Sequence, residues 1–530
     1  MSTQKELPSW LNDAIIYNIY PQSFNDTNSD GIGDLKGITE KLEYIQSLGA
    51  NCIWINPVFK SPFLDAGYDV SDYYQIAERY GDLEDFKQLI SEAKKRGIRV
   101  LLDLVAGHTS WDHPWFKESC KGDDNPYSDY YIWTDARIQK KRFVNGIGER
   151  DGGYMYNFYV HQPALNYGYY NIDENSPWQI SMDDPRALKV HQELRNVISF
   201  WMDFGIDGFR VDMAMSIIKN DPECIGIKKF WSRLRSWFNT EYPDGVLLSE
   251  WGNPARAIDV GFHVDFMHQF GTLGWWNLFR DQVDPGQDLD VGFFSRSGEG
   301  CIEDFLSVFL EHHAKTKEKG YICIPSANHD TNRPSIHRSG RDLRVIQAFL
   351  LTAPGVPLIY YGDEIGMRFY KGLKNKEGAY YRSSSRTPMQ WDSTVNAGFS
   401  TADKNELYLP IDPQNDRPTV DSQDTDEDSL LNLVRKLTKI RQETPALENN
   451  GDIIPVYAKN KKIPFVYLRK NNDDQYAMVV LNPSMNNETI TIETDKIDGK
   501  TILSEGVTLL QEDGHKWEIG VKPQSFGIFE

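Results

Sequence analysis

Short apolar runs rich in β-branched residues alternate with amphipathic helical stretches along roughly the first 400 residues, and no other feature of this chain constrains its fold as strongly. Strand signals fall at residues 15–20, 52–56, 99–104, 208–211, 246–249, 262–266, 321–325 and 357–361. Helical periodicity fills residues 38–48, 83–96, 185–204, 228–239, 303–315, 342–352 and 429–443. Only about a dozen residues separate the fifth and sixth strands, and the helical signal there is the faintest of the set. Eight strands with helices between and after them predict an α/β chain closed as a parallel (β/α)8 TIM barrel. The rival, an open doubly wound sheet, calls for a GxGxxG turn after its first strand, and none is present.

Two stretches break the alternation. The third strand ends near Val105, yet the next helix begins near Pro185, and the interval is rich in Gly, Asp, Asn and aromatics. It is too long for a simple loop, so residues 109–175 are expected to form an inserted domain over the carboxyl end of the barrel. After residue 443 the pattern becomes one of alternating strands at 465–469, 476–481, 489–492, 516–521 and 526–529. These predict a C-terminal antiparallel β-sandwich over residues 450–530. The barrel is then residues 1–108 and 176–449.

A net charge of −20 disfavours nucleic acid and anionic membranes as partners, because both would repel the surface, but it is compatible with a neutral sugar. The amino terminus is polar, and no run of about 18 apolar residues occurs, so neither a signal peptide nor a membrane span is expected. Five scattered cysteines without CxxC spacing fit reduced thiols in a cytoplasmic protein. No His/Cys cluster has zinc spacing and no GxxxxGK[ST] phosphate loop occurs, which removes zinc and nucleotide chemistry from consideration.

In a TIM barrel the reactive groups gather where strands end. Strand three runs into Asp103 and His108, strand four carries Arg210 and Asp212 two residues apart and so on one side, strand five ends at Glu250, and strand seven leads to Asn328-His329-Asp330. Charges at the ends of apolar strands are costly unless paired or needed. Several carboxylates, an arginine and two histidines from separate strands favour need. A retaining glycosidase uses a carboxylate nucleophile and a carboxylic acid about 5–5.5 Å apart. Arg210 is placed to keep Asp212 ionised, whereas an acid at Glu250 requires a pKa raised by burial and neighbouring carboxylates. Trp251 offers that acid an apolar wall.

These residues resemble the α-amylase superfamily, glycoside hydrolase family 13. GANCIWINP, DLVAGH, HQPALN, GFRVD, LLSEWG, SANHD and GVPLIYYGDEIG occur in the family's order. The resemblance implies Asp212 as nucleophile, Glu250 as general acid and base, and Asp330 as the third carboxylate that grips sugar hydroxyls. It implies His108, Arg210 and His329 as supports around the glucosyl unit and Tyr68, in GYDVSDY, as its aromatic platform. HQPALN and SRTPMQWD are similar to signatures of the oligo-1,6-glucosidase branch, where an Arg matching Arg386 pairs with an Asp matching Asp65 to close the pocket on a chain end. Exo-action on short oligosaccharides follows from that resemblance. In the loop from Asp26 to Asp34, the oxygens of Asp26, Asn28, Asp30, the Ile32 carbonyl and Asp34 stand at alternate positions, as ligands do in a calcium loop, and the branch has a single metal loop there. One structural Ca2+ is therefore expected.

The chain departs from the pattern at three points. Gly107 replaces the Asn of the DxxxNH signature, which argues against a second metal site and unsettles the hydrogen bonding around His108. Ala164 replaces the Asp of QPDLN. Met213, after the nucleophile, makes the branch's rule for α-1,6 against α-1,4 preference unusable. The leading expectation is an exo-acting α-glucosidase acting on an oligosaccharide. Its alternatives are a transglycosylase or isomerase on the same fold, trehalose synthase-like or sucrose-acting, and a catalytically inactive sugar-binding or scaffold protein.

Overall fold

The computed structural model describes residues 7–122, 125–138, 140–145, 147–268, 270–279, 291–378 and 382–530. Eight strands close a parallel barrel: β1 (Ile16–Ile19), β2 (Cys52–Ile55), β3 (Arg99–Leu104), β4 (Gly208–Val211), β5 (Val246–Ser249), β6 (Val264–Phe266), β7 (Tyr321–Pro325) and β8 (Val356–Tyr360). Closure is visible in the register of Ile16, which faces Cys52 on one side and Leu358 on the other.

The two-residue period of the strands divides their side chains between two cores. Ile16, Cys52, Trp54, Leu101, Val246, Leu248, Val264, Phe266, Cys323 and Leu358 pack together inside the barrel. Their chain neighbours Tyr17, Ile53, Ile55, Leu102, Phe209, Leu247, Ile322 and Ile359 join a larger core against the helices. Each fully buried aliphatic side chain contributes about 1.5–3 kcal/mol, so a one-residue slip of any strand exchanges the faces at prohibitive cost. Two positions beyond the interior residues Ile16, Trp54, Leu101 and Leu248 stand Asn18, Asn56, Asp103 and Glu250, and Asp103 faces Arg210 across β3 and β4. The apolar plug thus ends in a polar layer.

Seven of the helices are α1 (Leu35–Glu40), α2 (Leu42–Ser47), α3 (Leu83–Lys95), α4 (Pro185–Phe204), α5 (Ile225–Glu241), α6 (Pro254–Val260) and α7 (Ile302–Thr316), followed by α8 (Arg341–Leu350) and α9 (Leu430–Glu443). The helix expected at residues 38–48 begins earlier and is split. Asp34 caps α1 by accepting from Gly37 N, and the chain leaves helical geometry at Lys41 (φ −97°, ψ 5°) before α2. The faint helix between the fifth and sixth strands exists as α6, capped by Asn253. Helix α4 matches its expected bounds, with Asp184 and Pro185 at its start and left-handed Gly205 (φ 115°) at its end.

Between β3 and α4 the chain forms a short helix (Pro114–Ser119) and a hairpin of Phe143–Asn145 with Gly153–Met155. Bridges from His108 to Ala164 and from Tyr131 to Leu165 return residues 161–166 to the end of β3, over a cluster of Phe116, Tyr131, Trp133 and Tyr154.

The C-terminal strands are β9 (Asp452–Tyr457), β10 (Phe465–Lys470), β11 (Tyr476–Asn482), β12 (Glu488–Glu493), β13 (Thr501–Asp513) and β14 (Lys516–Phe529). All pair antiparallel, and β14 bonds β12 through its first half and β11 through its second, so one bonded sheet supplies both layers. The two strands expected at 516–521 and 526–529 are the halves of β14, interrupted near Pro523 and Gln524 (φ 48°). The sequence reading missed β9, an edge strand carrying Pro455, and β13, which Gly506 and three register shifts interrupt. Alternation again assigns faces: Phe465, Tyr467, Val479 and Leu481 join the larger core that packs against the helices, while Val466, Leu468, Met478 and Val480 face Ile492, Trp517 and Ile519. Among the described residues no helix is long and apolar enough to cross a membrane.

One buried carboxyl behind the barrel makes stability depend on pH. Glu364 Oε1 accepts from Tyr17 and Tyr44, both at 2.7 Å, and burial pushes the Glu364 pKa up to about 7. Because the folded pKa lies above the unfolded one, the stabilisation is complete below the ordinary glutamate pKa and is lost as pH rises through about 7, on the order of 3 kcal/mol. Glu364→Gln should therefore gain melting temperature relative to the native chain between pH 5 and pH 8.5. A pH-independent difference between the two melting curves would contradict this.

Candidate active site

At the carboxyl end of the barrel one guanidinium serves three carboxylates. Arg210 is buried, and its Nη1 lies 2.5 Å from Asp103 Oδ1 and 3.1 Å from Asp212 Oδ1, while Nη2 lies 2.7 Å from Glu250 Oε1. Three negative charges against one positive cannot all persist in a buried site, so the cluster binds protons. Burial pushes Asp103 up to about 6, although Arg210 and the Trp54 indole N–H, 2.8 Å from Oδ2, oppose it. Burial first and the charge of Glu250 second push Asp212 well above the usual carboxylate range, and Arg210 does not outweigh them. The expectation that Arg210 keeps Asp212 within the ordinary carboxylate range is thus corrected: burial and the neighbouring carboxylates outweigh a guanidinium divided among three partners.

Local backbone geometry helps place Glu250. Met213 adopts left-handed geometry (φ 42°, ψ 42°), and its N–H donates to Glu250 Oε2 at 2.9 Å. A residue with a Cβ pays about 1–2 kcal/mol for that conformation. Trp251 is buried in the main core, and its N–H donates to Asp265.

A second charge centre has the opposite bias. Asp330 Oδ1 meets Arg382 Nη1 and, at 3.0 Å, Arg386 Nη2, while Oδ2 lies 3.3 Å from His329 Nε2. Burial works against ionisation, but Arg382, His329 and Arg386 together hold the Asp330 carboxyl far below the ordinary range. His329 is neutral, its pKa driven well down by burial, and its Nδ1 lies 3.0 Å from Asn56 Nδ2. Tyr68 stacks on His329 at 5.3 Å and 10°, and its hydroxyl donates to Asp103 Oδ2 at 3.2 Å. Burial pushes the His108 pKa down to about 3, and its Nε2 lies 3.0 Å from the Tyr68 carbonyl.

The partner expected for Asp65 is also corrected. Arg386 is used by the His329 carbonyl (2.8 Å), the Tyr20 hydroxyl (3.3 Å) and Asp330, whereas Asp65 accepts from Gln162 Nε2 at 2.8 Å and lies 3.6 Å from Arg382 Nη2. The short 3-10 turn Arg382–Ser385 sets the two arginines four residues apart on Asp330, and only the outer one reaches Asp65. Asp212, Glu250, Arg210, Asp330, His329, Arg386, Asp65, Tyr68 and His108 therefore belong to one connected network. The site assignments made from sequence gave no role to Asn56, Asp103, Gln162 and Arg382, although Asp103 stood among the strand-end carboxylates. Counting by twos along β2 and β3 from Trp54 and Leu101 finds the first two, but the other two lie on irregular segments without a period.

The loop expected to hold calcium lies at the start of α1. Asp26 accepts from the N–H groups of Asn28, Ser29 and Gly31, Asp30 from that of Ile32, and Asp34 from those of Thr27 and Gly37. Among the described residues no three His, Cys, Asp or Glu side chains are gathered as a metal cluster. The donor set of three carboxylates, an amide and a carbonyl suits a hard cation in kind. Burial raises the Asp34 pKa against its N–H and hydroxyl donors, and the like charge of Asp26 raises it further.

Comparison with known proteins places this geometry in context. Residues 18–269 and 287–450 match the family described as alpha amylase, catalytic domain. The trehalose synthase/amylase of Mycobacterium tuberculosis is 32% identical over 492 residues, covering 83% of this chain and 76% of that protein. The glucan 1,6-alpha-glucosidase of Streptococcus pneumoniae is 32% identical, covering 91% of this chain and 93% of that one. The crystal structure of isomaltulose synthase from Erwinia rhapontici NX5 superposes with a TM-score of 0.83 at 28% identity over 99% of both chains.

Removing Asp103 should test the sharing of Arg210. Asp103→Ala removes the guanidinium's 2.5 Å partner and leaves the Trp54 indole N–H without its acceptor, and should cost about 3 kcal/mol in denaturant unfolding. A loss under about 1 kcal/mol would show that Arg210 does not need Asp103.

Proposed function

The chain belongs to the α-amylase family, and we propose that it is a retaining, exo-acting α-glucosidase that cleaves terminal α-glucosyl bonds of short oligosaccharides. Asp212 attacks the anomeric carbon and forms a covalent glycosyl ester, while Glu250 donates its proton to the leaving oxygen. Glu250 then takes a proton from water, which attacks the ester and releases the sugar with its original anomeric configuration. What supports the role of Glu250 is its placement: Met213 N–H donates to its Oε2 at 2.9 Å and Arg210 Nη2 lies 2.7 Å from its Oε1, which hold the carboxyl at the end of β5. Asp330, kept ionised by Arg382, His329 and Arg386, accepts hydroxyl hydrogens of the distorted sugar.

The observation that carries exo-action is the corner made by Asp65, Gln162, Arg382 and Asp330. Four polar groups from four separate segments close on one another there, which suits the end of a chain rather than its continuation. The trehalose synthase and the isomaltulose synthase among the similar proteins favour one second reading, an isomerase that hands the glucosyl unit to another sugar hydroxyl. Retention of all three carboxylates speaks against a sugar-binding protein without activity.

Product analysis on a panel of α-linked di- and trisaccharides separates these readings. Glucose released from the non-reducing end, initially as the α anomer, is the expected result. A new disaccharide as main product replaces hydrolysis by isomerisation. Turnover equally negligible in the native chain and in Asp212→Asn would leave only the binding reading.

For the loop of Asp26, Asn28, Asp30, Ile32 and Asp34 the proposed occupant is one structural calcium ion. Its two positive charges would offset most of the charge of three carboxylates beside Ser400, whose hydroxyl donates to Asp26 Oδ2 at 2.5 Å. Chelation should lower the melting temperature by about 3–5 °C, with recovery on adding calcium. Unchanged melting together with a metal-free elemental analysis would dismiss the ion. The free cysteines accord with a cytoplasmic location.

A further inference from the structure

Asp265 stands on β6 at a position where the strand's alternation calls for an apolar side chain. Val264 and Phe266 on either side of it pack inside the barrel, so Asp265 belongs to the outer face, in register with Ser249 of β5 and Ile322 of β7. On that face Leu247 and Ile322 join the core against the helices. Asp265 is fully buried there, and burial pushes its pKa up to about 8 against hydrogen bonds from Ser249, Trp251, Asn253 and Phe266. A carboxyl in an apolar layer is costly unless its bonds are needed.

Three of those bonds run to the segment that carries Glu250. Asp265 Oδ1 accepts from Ser249 Oγ at 2.6 Å and from Trp251 N at 3.1 Å, and Oδ2 accepts from Asn253 N at 2.9 Å. Asn253 in turn caps α6, its side chain accepting from Arg256 N at 3.2 Å. One carboxyl thus spans the chain from the last residue of β5 to the cap of α6, with Glu250 between its contacts. The arrangement survives a change of protonation. As a carboxylate Asp265 accepts from Ser249; as an acid it donates to Ser249 Oγ, whose own hydrogen then turns to the Val264 carbonyl 3.4 Å away. Both backbone N–H groups keep their acceptor in either form.

We infer that Asp265 is a positioning residue for Glu250: by holding Ser249, Trp251 and Asn253 it fixes the backbone from which the proton donor reaches the leaving oxygen. Asp265 lies on the outer face of the barrel and acts through the main chain, not on the sugar. Misplacing a reacting group by about 1 Å costs on the order of a hundredfold in rate, so a tether on both sides of the acid has a direct kinetic consequence. This rests on the glycosidase or glycosyl-transfer reading above, in which Glu250 is the acid.

The test sets Asp265→Asn and Asp265→Ala against two substrates: an α-linked disaccharide, whose leaving oxygen needs a proton, and α-glucosyl fluoride, whose leaving group needs none. The quantity compared is kcat/KM, which covers the step in which the leaving group departs. Asp265→Asn keeps the shape but sets an NH2 group against one of the donors; it should lose about tenfold on the disaccharide and less than about threefold on the fluoride. Asp265→Ala should lose about a hundredfold on the disaccharide with the fluoride again spared, and if that variant does not fold, Asp265→Asn decides alone. Glu250→Gln supplies the pattern of a lost acid, and adding Asp265→Asn to it should change the disaccharide rate by less than about twofold. Equal losses on both substrates, or losses that add in the double variant, would overturn the inference. If the native protein cleaves no α-glucoside, the glycosidase reading falls, and the crystal structure of Asp265→Asn still decides the positioning. A Glu250 carboxyl displaced from Met213 N and Arg210 Nη2 supports it, and one left in place overturns it.

Discussion

A guanidinium removed from water must find its counter-charges inside the protein, and Arg210 finds them on three strands at once. Asp103 ends β3, Asp212 follows β4 and Glu250 follows β5, so the cation ties together neighbouring strand ends at the place where an all-parallel barrel presents its carbonyls and loops. Removing Arg210 would leave the buried carboxylates uncompensated, a loss worth about 3–5 kcal/mol. The electrostatics of the site and the closure of the barrel are therefore one constraint. A strand shifted by one residue would turn both the apolar plug and the charged layer to the wrong face.

The same constraint separates the carboxylates by role. Asp212 shares one cation with two other carboxylates and is pushed above the usual carboxylate range, whereas Asp330 has two arginines and is held ionised. Identical functional groups thus acquire opposite tendencies from the number of cations each can claim. His329 and His108 lie between these centres as neutral rings, because burial outweighs the charges nearby.

Loops complete what the strands begin. Asp65 comes from the loop after β2, Gln162 from the segment inserted after β3, Arg382 from a 3-10 turn after β8 and Arg386 from the residue that follows that turn. None of these is positioned by a strand period. They are held by mutual bonds, Gln162 to Asp65 and Arg382 to Asp330, and by packing of the inserted segment against His108 through its bridge to Ala164. A rigid barrel with loop-borne contacts on its rim allows the reaction centre to stay constant while the contacts that select a substrate vary.

The sequence by itself determined the barrel, its eight strands and the convergence of Arg210, Asp212, Glu250 and Asp330, because two-residue alternation and the family's ordered signatures are both properties of contiguous residues. It also located the C-terminal sheet, though not β9 and β13, whose Pro455 and Gly506 interrupt the alternation on which such a reading relies. Only the tertiary structure decided which arginine reaches Asp65 and how Arg210 divides its charge. Each of those answers is a distance or a competition between segments far apart in the chain. Residue types and spacing carry the inventory of a site, and its allocation of partners and protons appears only once the chain has closed.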